Sequence, residues 1–143
     1  VLHVCGRRDH ADLRERLERL GSPPHYKLHS YVDPFADALG AADLVAARAG
    51  GSVLEVAAAG LPSILVPYPH ATGDHQTANA RYMEAQGAAV VVEDNVVDGP
   101  RLAREVAALI RSPQRMRSMA AAAGVVARPD AAERVAREIL ALA

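Results

Sequence analysis

The chain has 143 residues, 16 basic and 17 acidic, for a formal net charge of −1, which fits one ordinary globular domain and carries no nucleic-acid footprint. With no Trp and one Phe (Phe35), base stacking on aromatic platforms is excluded as a main mode of binding. Its single cysteine, Cys5, cannot close an internal disulfide, and no run of 18 apolar residues or signal peptide is present, so neither an oxidising compartment nor a membrane span is indicated.

The chain opens on an apolar run, Val1–Val4, without a starting Met, which is expected of a piece of a longer protein. Four further short apolar runs follow: Tyr26–Tyr31, Leu44–Ala47, Ser63–Pro67 and Ala89–Val92. Such runs suit strands of a sheet buried on both faces. Helical patterns lie between them. Ala11–Leu20 stops at Gly21; Asp33 caps a helix with Pro34 in its first turn; Ser52–Ala59 stops at Gly60; Asp74–Gln86 stops at Gly87. Asp98 opens a helix whose stripe is Leu102, Val106 and Ile110. Ser112-Pro113 opens a short one, and Asp130 caps a last one carrying Val135, Ile139 and Leu142. Strand–helix alternation with short loops predicts a Rossmann-like, doubly wound parallel α/β sheet in a single domain over 1–143.

In such sheets ligands bind outside the carboxyl ends of the strands. The loops there carry Gly6-Arg7-Arg8-Asp9, Arg48-Ala49-Gly50-Gly51-Ser52 and Tyr68–Gln76. Two glycines between a strand and a helix allow close backbone approach, and a helix start favours an anion such as a diphosphate. Glu55, within the first turns of that helix, is placed to accept two hydrogen bonds from a ribose diol. The alternative is a glycine turn, a Ser52 cap and a solvent-facing Glu55. His75, Gln76 and Asn79 share one helix face. Amides both donate and accept, which suits the hydroxyls of a sugar; a capped surface helix with a polar first turn is the plainer reading. Arg7 and Arg8 could reach phosphates. Backbone groups after Tyr31-Val32 could pair with a base edge, or Asp33 and Phe35 could simply cap and pack.

His70, Asp74 and His75 raise the question of a metal, but no second carboxylate cluster or Cys accompanies them. The Asp74/His75 pair has no nucleophile, since Ser52 and Ser63 lack an elbow context, and Cys5 at a strand end reads as a buried residue.

The run Arg48-Ala49-Gly50-Gly51-Ser52-Val53-Leu54-Glu55-Val56-Ala57-Ala58-Ala59-Gly60-Leu61-Pro62, followed by Val66-Pro67-Tyr68-Pro69-His70-Ala71-Thr72-Gly73-Asp74-His75-Gln76-Thr77-Ala78-Asn79-Ala80, resembles the carboxy-terminal domain of the MurG-type transferases (glycosyltransferase family 28, GT-B fold). The likeness is strongest over 31–92 and extends more weakly across the chain. It implies transfer of GlcNAc from UDP-GlcNAc to lipid-linked MurNAc-pentapeptide, with inversion, by a peripheral protein on the cytoplasmic face of a bacterial membrane. It also implies roles: the Val32 backbone for uracil, Glu55 for the ribose, Gly51 and Ser52 for the diphosphate and sugar, and His75, Gln76 and Asn79 for the sugar pocket. His75 stands where other members carry Gln, and the Arg48–Glu55 stretch is one residue shorter than in some. The resemblance implies no cofactor and no metal, the diphosphate being stabilised by helix dipoles and backbone amides. The family's first strand with its glycine-rich loop, and the acceptor domain with the base, are not in this sequence, so donor binding without transfer is expected of the chain alone. Other UDP-sugar transferases of this architecture, a non-catalytic nucleotide-sugar-binding module, and a hydrolase or epimerase are the alternatives.

Overall fold

The computed structural model describes residues 1–142, which form two compact units: Val1–Ala41, and the residues from Ala42 onward. In the first unit, β1 (Leu2–Val4), α1 (His10–Arg19), β2 (Lys27–His29) and α2 (Phe35–Gly40) follow in order. The two strands are parallel, with Leu2 opposite Lys27 and Val4 opposite His29. One expectation fails here. Helix α2 starts at Phe35, and Pro34 itself takes the capping position, with no side-chain cap bond. Asp33 therefore stands outside the helix and does not cap it.

The second unit holds β3 (Val45–Ala47), α3 (Val53–Ala58), β4 (Ser63–Leu65), a 3-10 turn (Thr72–Asp74), α4 (His75–Ala85), β5 (Ala89–Val91), a second 3-10 turn (Asp94–Val96), α5 (Gly99–Ile110), α6 (Pro113–Val126) and α7 (Ala131–Ala141). Its three strands are parallel in the order β3-β4-β5. Ala47, Leu65 and Val91 lie side by side at their carboxyl ends.

Strand β4 shows why this sheet is wound on both sides. Successive side chains of a strand point to opposite faces. Leu65 packs with Ala49, Val53, Ala57, Met83 and Ala123, whereas Ile64 and Val66 pack with Val92, Leu109 and Met119. The first cluster is covered by α3, α4 and α6, the second by α5 and α6. An unbroken apolar run is thus required at Ile64-Leu65-Val66. Ser63, fully buried, directs its hydroxyl to the Ala88 carbonyl at 3.4 Å.

The glycine stops are found as expected. After α3, Gly60 has φ +66, its N–H donates to Ala57 O, and that of Leu61 to Val56 O. After α4, Gly87 has φ +78, with matching bonds from Gly87 to Glu84 and from Ala88 to Met83. These paired bonds close each helix and turn the chain directly into the next strand. The start signals fare less well. Asp98 caps α5, its Oδ1 accepting the Arg101 N–H at 2.6 Å. Ser52, Asp74, Ser112 and Asp130 make no side-chain cap bond. Helix α6, expected to be short, has 14 residues. On α7, Val135 and Ile139 are exposed.

Because Leu65 is fully buried and Leu54 more than half exposed, Leu65→Ala is expected to lower unfolding free energy by about 2–5 kcal/mol and Leu54→Ala by less than about 0.5 kcal/mol. Urea titration of both variants measures the contrast.

Candidate functional site

The carboxyl ends of β3 and β4 carry the Arg48–Ser52 and Tyr68–Gln76 stretches singled out above, and the second unit brings these two together. Residues 48–52 follow β3 and residues 67–74 follow β4. The two loops are joined by side chains of α4 and by Arg48. The Asn79 amide nitrogen donates to the Ala49 carbonyl at 3.0 Å. The Gln76 Oε1 accepts the Tyr68 N–H at 3.0 Å, and its Nε2 lies 3.9 Å from where a Cβ on Gly50 would stand. Each amide thus spends one end on the protein: Asn79 keeps Oδ1 as an acceptor, Gln76 keeps Nε2 as a donor.

His75 is turned differently. Its Nδ1 lies 2.8 Å from the Thr72 carbonyl. A carbonyl only accepts, so Nδ1 carries the proton and Nε2 of the neutral ring is the acceptor. The chain reaches this position through two successive left-handed residues, Gly73 (φ 60) and Asp74 (φ 53). Gly adopts that conformation freely, and Asp tolerates it better than most residues. Asp74 is therefore a turn residue rather than the helix cap expected of it.

The glycine loop also differs from expectation. The amides of Val53 and Leu54 are not open at the start of α3, because they donate to the Gly50 and Gly51 carbonyls. The N–H groups of Gly51 and Ser52 have no partner among the described residues, and neither do those of Ala49 and Gly50 before them. The carboxylate of Glu55, in the first turn of α3 and exposed, has no hydrogen bond or ion pair among the described residues. Val32 is half-buried in the first unit, three residues past β2. There Arg7 lies over the Tyr31 ring at 5.7 Å and Arg8 pairs with Asp9 at 2.9 Å. The Asp9 carboxyl is held below its ordinary value, foremost by the hydrogen bond from Arg8.

Sequence reasoning assigned no role to Arg48, the first residue past β3. Its Nη1 lies 3.3 Å from both the Val66 and Pro67 carbonyls and 2.5 Å from Asp94 Oδ1. Its guanidinium also stands 5.6 Å from the centre of the Tyr68 ring. The available signal was a lone charge directly after an apolar strand. Asp94, in the turn after β5, gave none. An apolar hollow of about 250 Å³ lined by Ala46, Ala47, Val66, Val97 and Leu102 adjoins Arg48. Among the described residues no three His, Cys, Asp or Glu side chains gather as a metal site.

Residues 1–135 match the model of the glycosyltransferase family 28 C-terminal domain. The chain belongs to that family. It is 46% identical, over 98% of its length, to a UDP-N-acetylglucosamine–N-acetylmuramyl-(pentapeptide) pyrophosphoryl-undecaprenol N-acetylglucosamine transferase of Moorella thermoacetica. It is 43% identical, over its whole length, to the protein of the same name in Sorangium cellulosum. The chain spans only 39% and 36% of these two relatives. Among solved structures, Acinetobacter baumannii MurG superposes on 97% of the chain with TM-score 0.82 and 29% identity, the chain covering 42% of it. The glycotransferase of kitacinnamycin superposes on 95% with TM-score 0.67 and 25% identity, the chain covering 34% of it. The doubly wound α/β fold of a GT-B carboxy-terminal half is thereby established.

Asn79→Ala removes the only side-chain donor to the Ala49 carbonyl among the described residues. It is expected to destabilise the second unit by about 1–3 kcal/mol, the range for stranding a part-buried polar group, and denaturant melts of the two proteins measure it.

Proposed function

We propose that this chain is the donor-binding part of a transferase that moves GlcNAc from UDP-GlcNAc, with inversion, onto lipid-linked MurNAc-pentapeptide, the lipid I to lipid II step of peptidoglycan synthesis. The observation that carries this reading is the match to proteins of that named activity over 98–100% of the chain. The convergence of glycine loop, amides and free carboxylate at one end of β3 and β4 supports it. The 143 residues serve together as one UDP-sugar-binding domain, and the acceptor and the base are supplied by parts of the protein outside this chain. The protein works peripherally at the cytoplasmic face of the membrane; among the described residues no helix is long and apolar enough to cross one.

The site residues take these roles. The free N–H groups of Gly51 and Ser52 face the diphosphate, where fixed dipoles stabilise the charge that grows on the departing group. Glu55, unpaired, accepts the two ribose hydroxyls. Asn79 Oδ1, Gln76 Nε2 and His75 Nε2 read sugar hydroxyls with the ends that the protein leaves open. The Val32 backbone meets uracil. No cofactor or metal takes part.

Calorimetric titration with UDP-GlcNAc is expected to show binding that Glu55→Ala weakens by about 1–3 kcal/mol, the range for stranded polar partners; equal binding by the variant would remove Glu55 from the site. A panel of UDP-GlcNAc, UDP-Glc and UDP-Gal tests the sugar, and preference for either hexose over UDP-GlcNAc would move the protein to another UDP-sugar transferase. Transfer by the full-length protein is expected to persist in EDTA. Its abolition, with recovery on adding back a divalent ion, would overturn the metal-free reading.

A further inference from the structure

We propose that Asp94 is a positioning residue for the donor site, acting through Arg48. The proposal rests on the functional reading above. Arg48 immediately precedes the loop whose Gly51 and Ser52 amides are left open. That loop is held on one side by Asn79, at the Ala49 carbonyl, and on the other by the Arg48 side chain. The hold on the Arg48 side is uneven. Its two carbonyl contacts, to Val66 and Pro67 at 3.3 Å, are to neutral acceptors, and its third is to the Asp94 carboxylate. A charge-assisted bond is shorter and stronger than a bond to a neutral carbonyl.

Asp94 has no competing task. Its carboxylate meets no other group among the described residues. The neighbouring Glu93 cannot replace it, being committed to Arg81 on α4. Arg48 has no second acidic partner among the described residues. It also lies over the Tyr68 ring, and the Tyr68 N–H is held by Gln76. Through Arg48, Asp94 therefore fixes both the loop proposed for the diphosphate and the loop that leads to the sugar-reading amides. The pair is only half removed from solvent, with side chains 50% and 34% exposed. Its effect on global stability is accordingly small, and its effect falls on the aim of the loops.

Steady-state transfer by the full-length protein tests this, with UDP-GlcNAc varied at saturating acceptor. Asp94→Ala is expected to raise the donor KM about three- to tenfold with kcat within about twofold, as for loss of ground-state positioning contacts, and to leave Tm nearly unchanged. Asp94→Asn keeps an acceptor of the same shape without the charge and is expected to recover part of the loss. The double variant Arg48→Ala, Asp94→Ala is expected to be no worse than Arg48→Ala alone. An unchanged donor KM in Asp94→Ala, or a fallen Tm with KM unchanged, overturns the positioning role and leaves the functional reading standing. An unsubstituted protein that turns over no UDP-sugar overturns both.

Discussion

One nitrogen, Nη1 of Arg48, holds the carboxyl ends of three parallel strands. The need for it follows from the sequence around β4. The ladder between β3 and β4 continues as far as the Val66 N–H, which donates to Ala47. The next residue is Pro67, which has no N–H to give. Pro67 falls on the side of this stretch that pairs with β5, where Leu65 accepts the Val92 N–H, so pairing with β5 stops there. On the β3 side no main-chain N–H meets the Val66 carbonyl among the described residues. A guanidinium carries several donors in a fixed plane and stays protonated. Placed one residue past β3, it takes over where the backbone fails and reaches Asp94 past β5 with the same nitrogen. The loops that follow β3 and β4 thus start from fixed points.

A second latch works on the other side of α4. Arg81 pairs with Glu84 one turn on at 2.7 Å and with Glu93 after β5. The other oxygen of Glu84 accepts the Val91 N–H at 3.3 Å. Hydrogen bonding to Glu84 foremost, with the charges of Glu84 and Glu93, raises the Arg81 guanidinium above its ordinary value. Exposed pairs of this kind add little stability singly. They add to the packing of the buried Ala80 and Met83, which seats α4 on the core and so sets the face that carries Gln76 and Asn79.

The strands and the glycine stops were legible in the sequence because each is a local signal. Ile64-Leu65-Val66 must be apolar throughout when both faces are covered, and Gly60 and Gly87 stand where the chain must turn left-handed. Helix starts were less legible, because a cap needs an extended backbone that the sequence does not disclose. Asp98 has it, at φ −139 and ψ 175, and its carboxylate finds Arg101. Ser52 lies at φ −63 and ψ −11, already helical, and its hydroxyl cannot turn back. Asp74 is left-handed and Asp33 is displaced by Pro34. The length of α6 was hidden because Ala120–Ala123 reads as neutral filler, yet Ala123 is fully buried with Leu65 and Val126. Arg48 and Asp94 are 46 residues apart, and nothing local joins them.

The residues that drew attention as ligand readers divide by what the protein asks of them. Gln76, Asn79 and His75 each commit one polar end internally and leave the other open. The Glu55 carboxylate and the Gly51 and Ser52 amides commit nothing. The division has a physical sense for a nucleotide-sugar site. A side chain that must distinguish the arrangement of neutral hydroxyls gains from having its rotamer locked, since the ordering cost is met before the ligand arrives. A diphosphate or a ribose diol asks less of geometry. Open backbone amides on a short turn serve the one, and a solvated carboxylate that accepts two bonds from several approaches serves the other. Under the proposed function, specificity for the sugar is assigned to α4 and its latches, and the affinity common to all uridine diphosphate sugars to the turn before α3 and to Glu55 in the first turn of that helix.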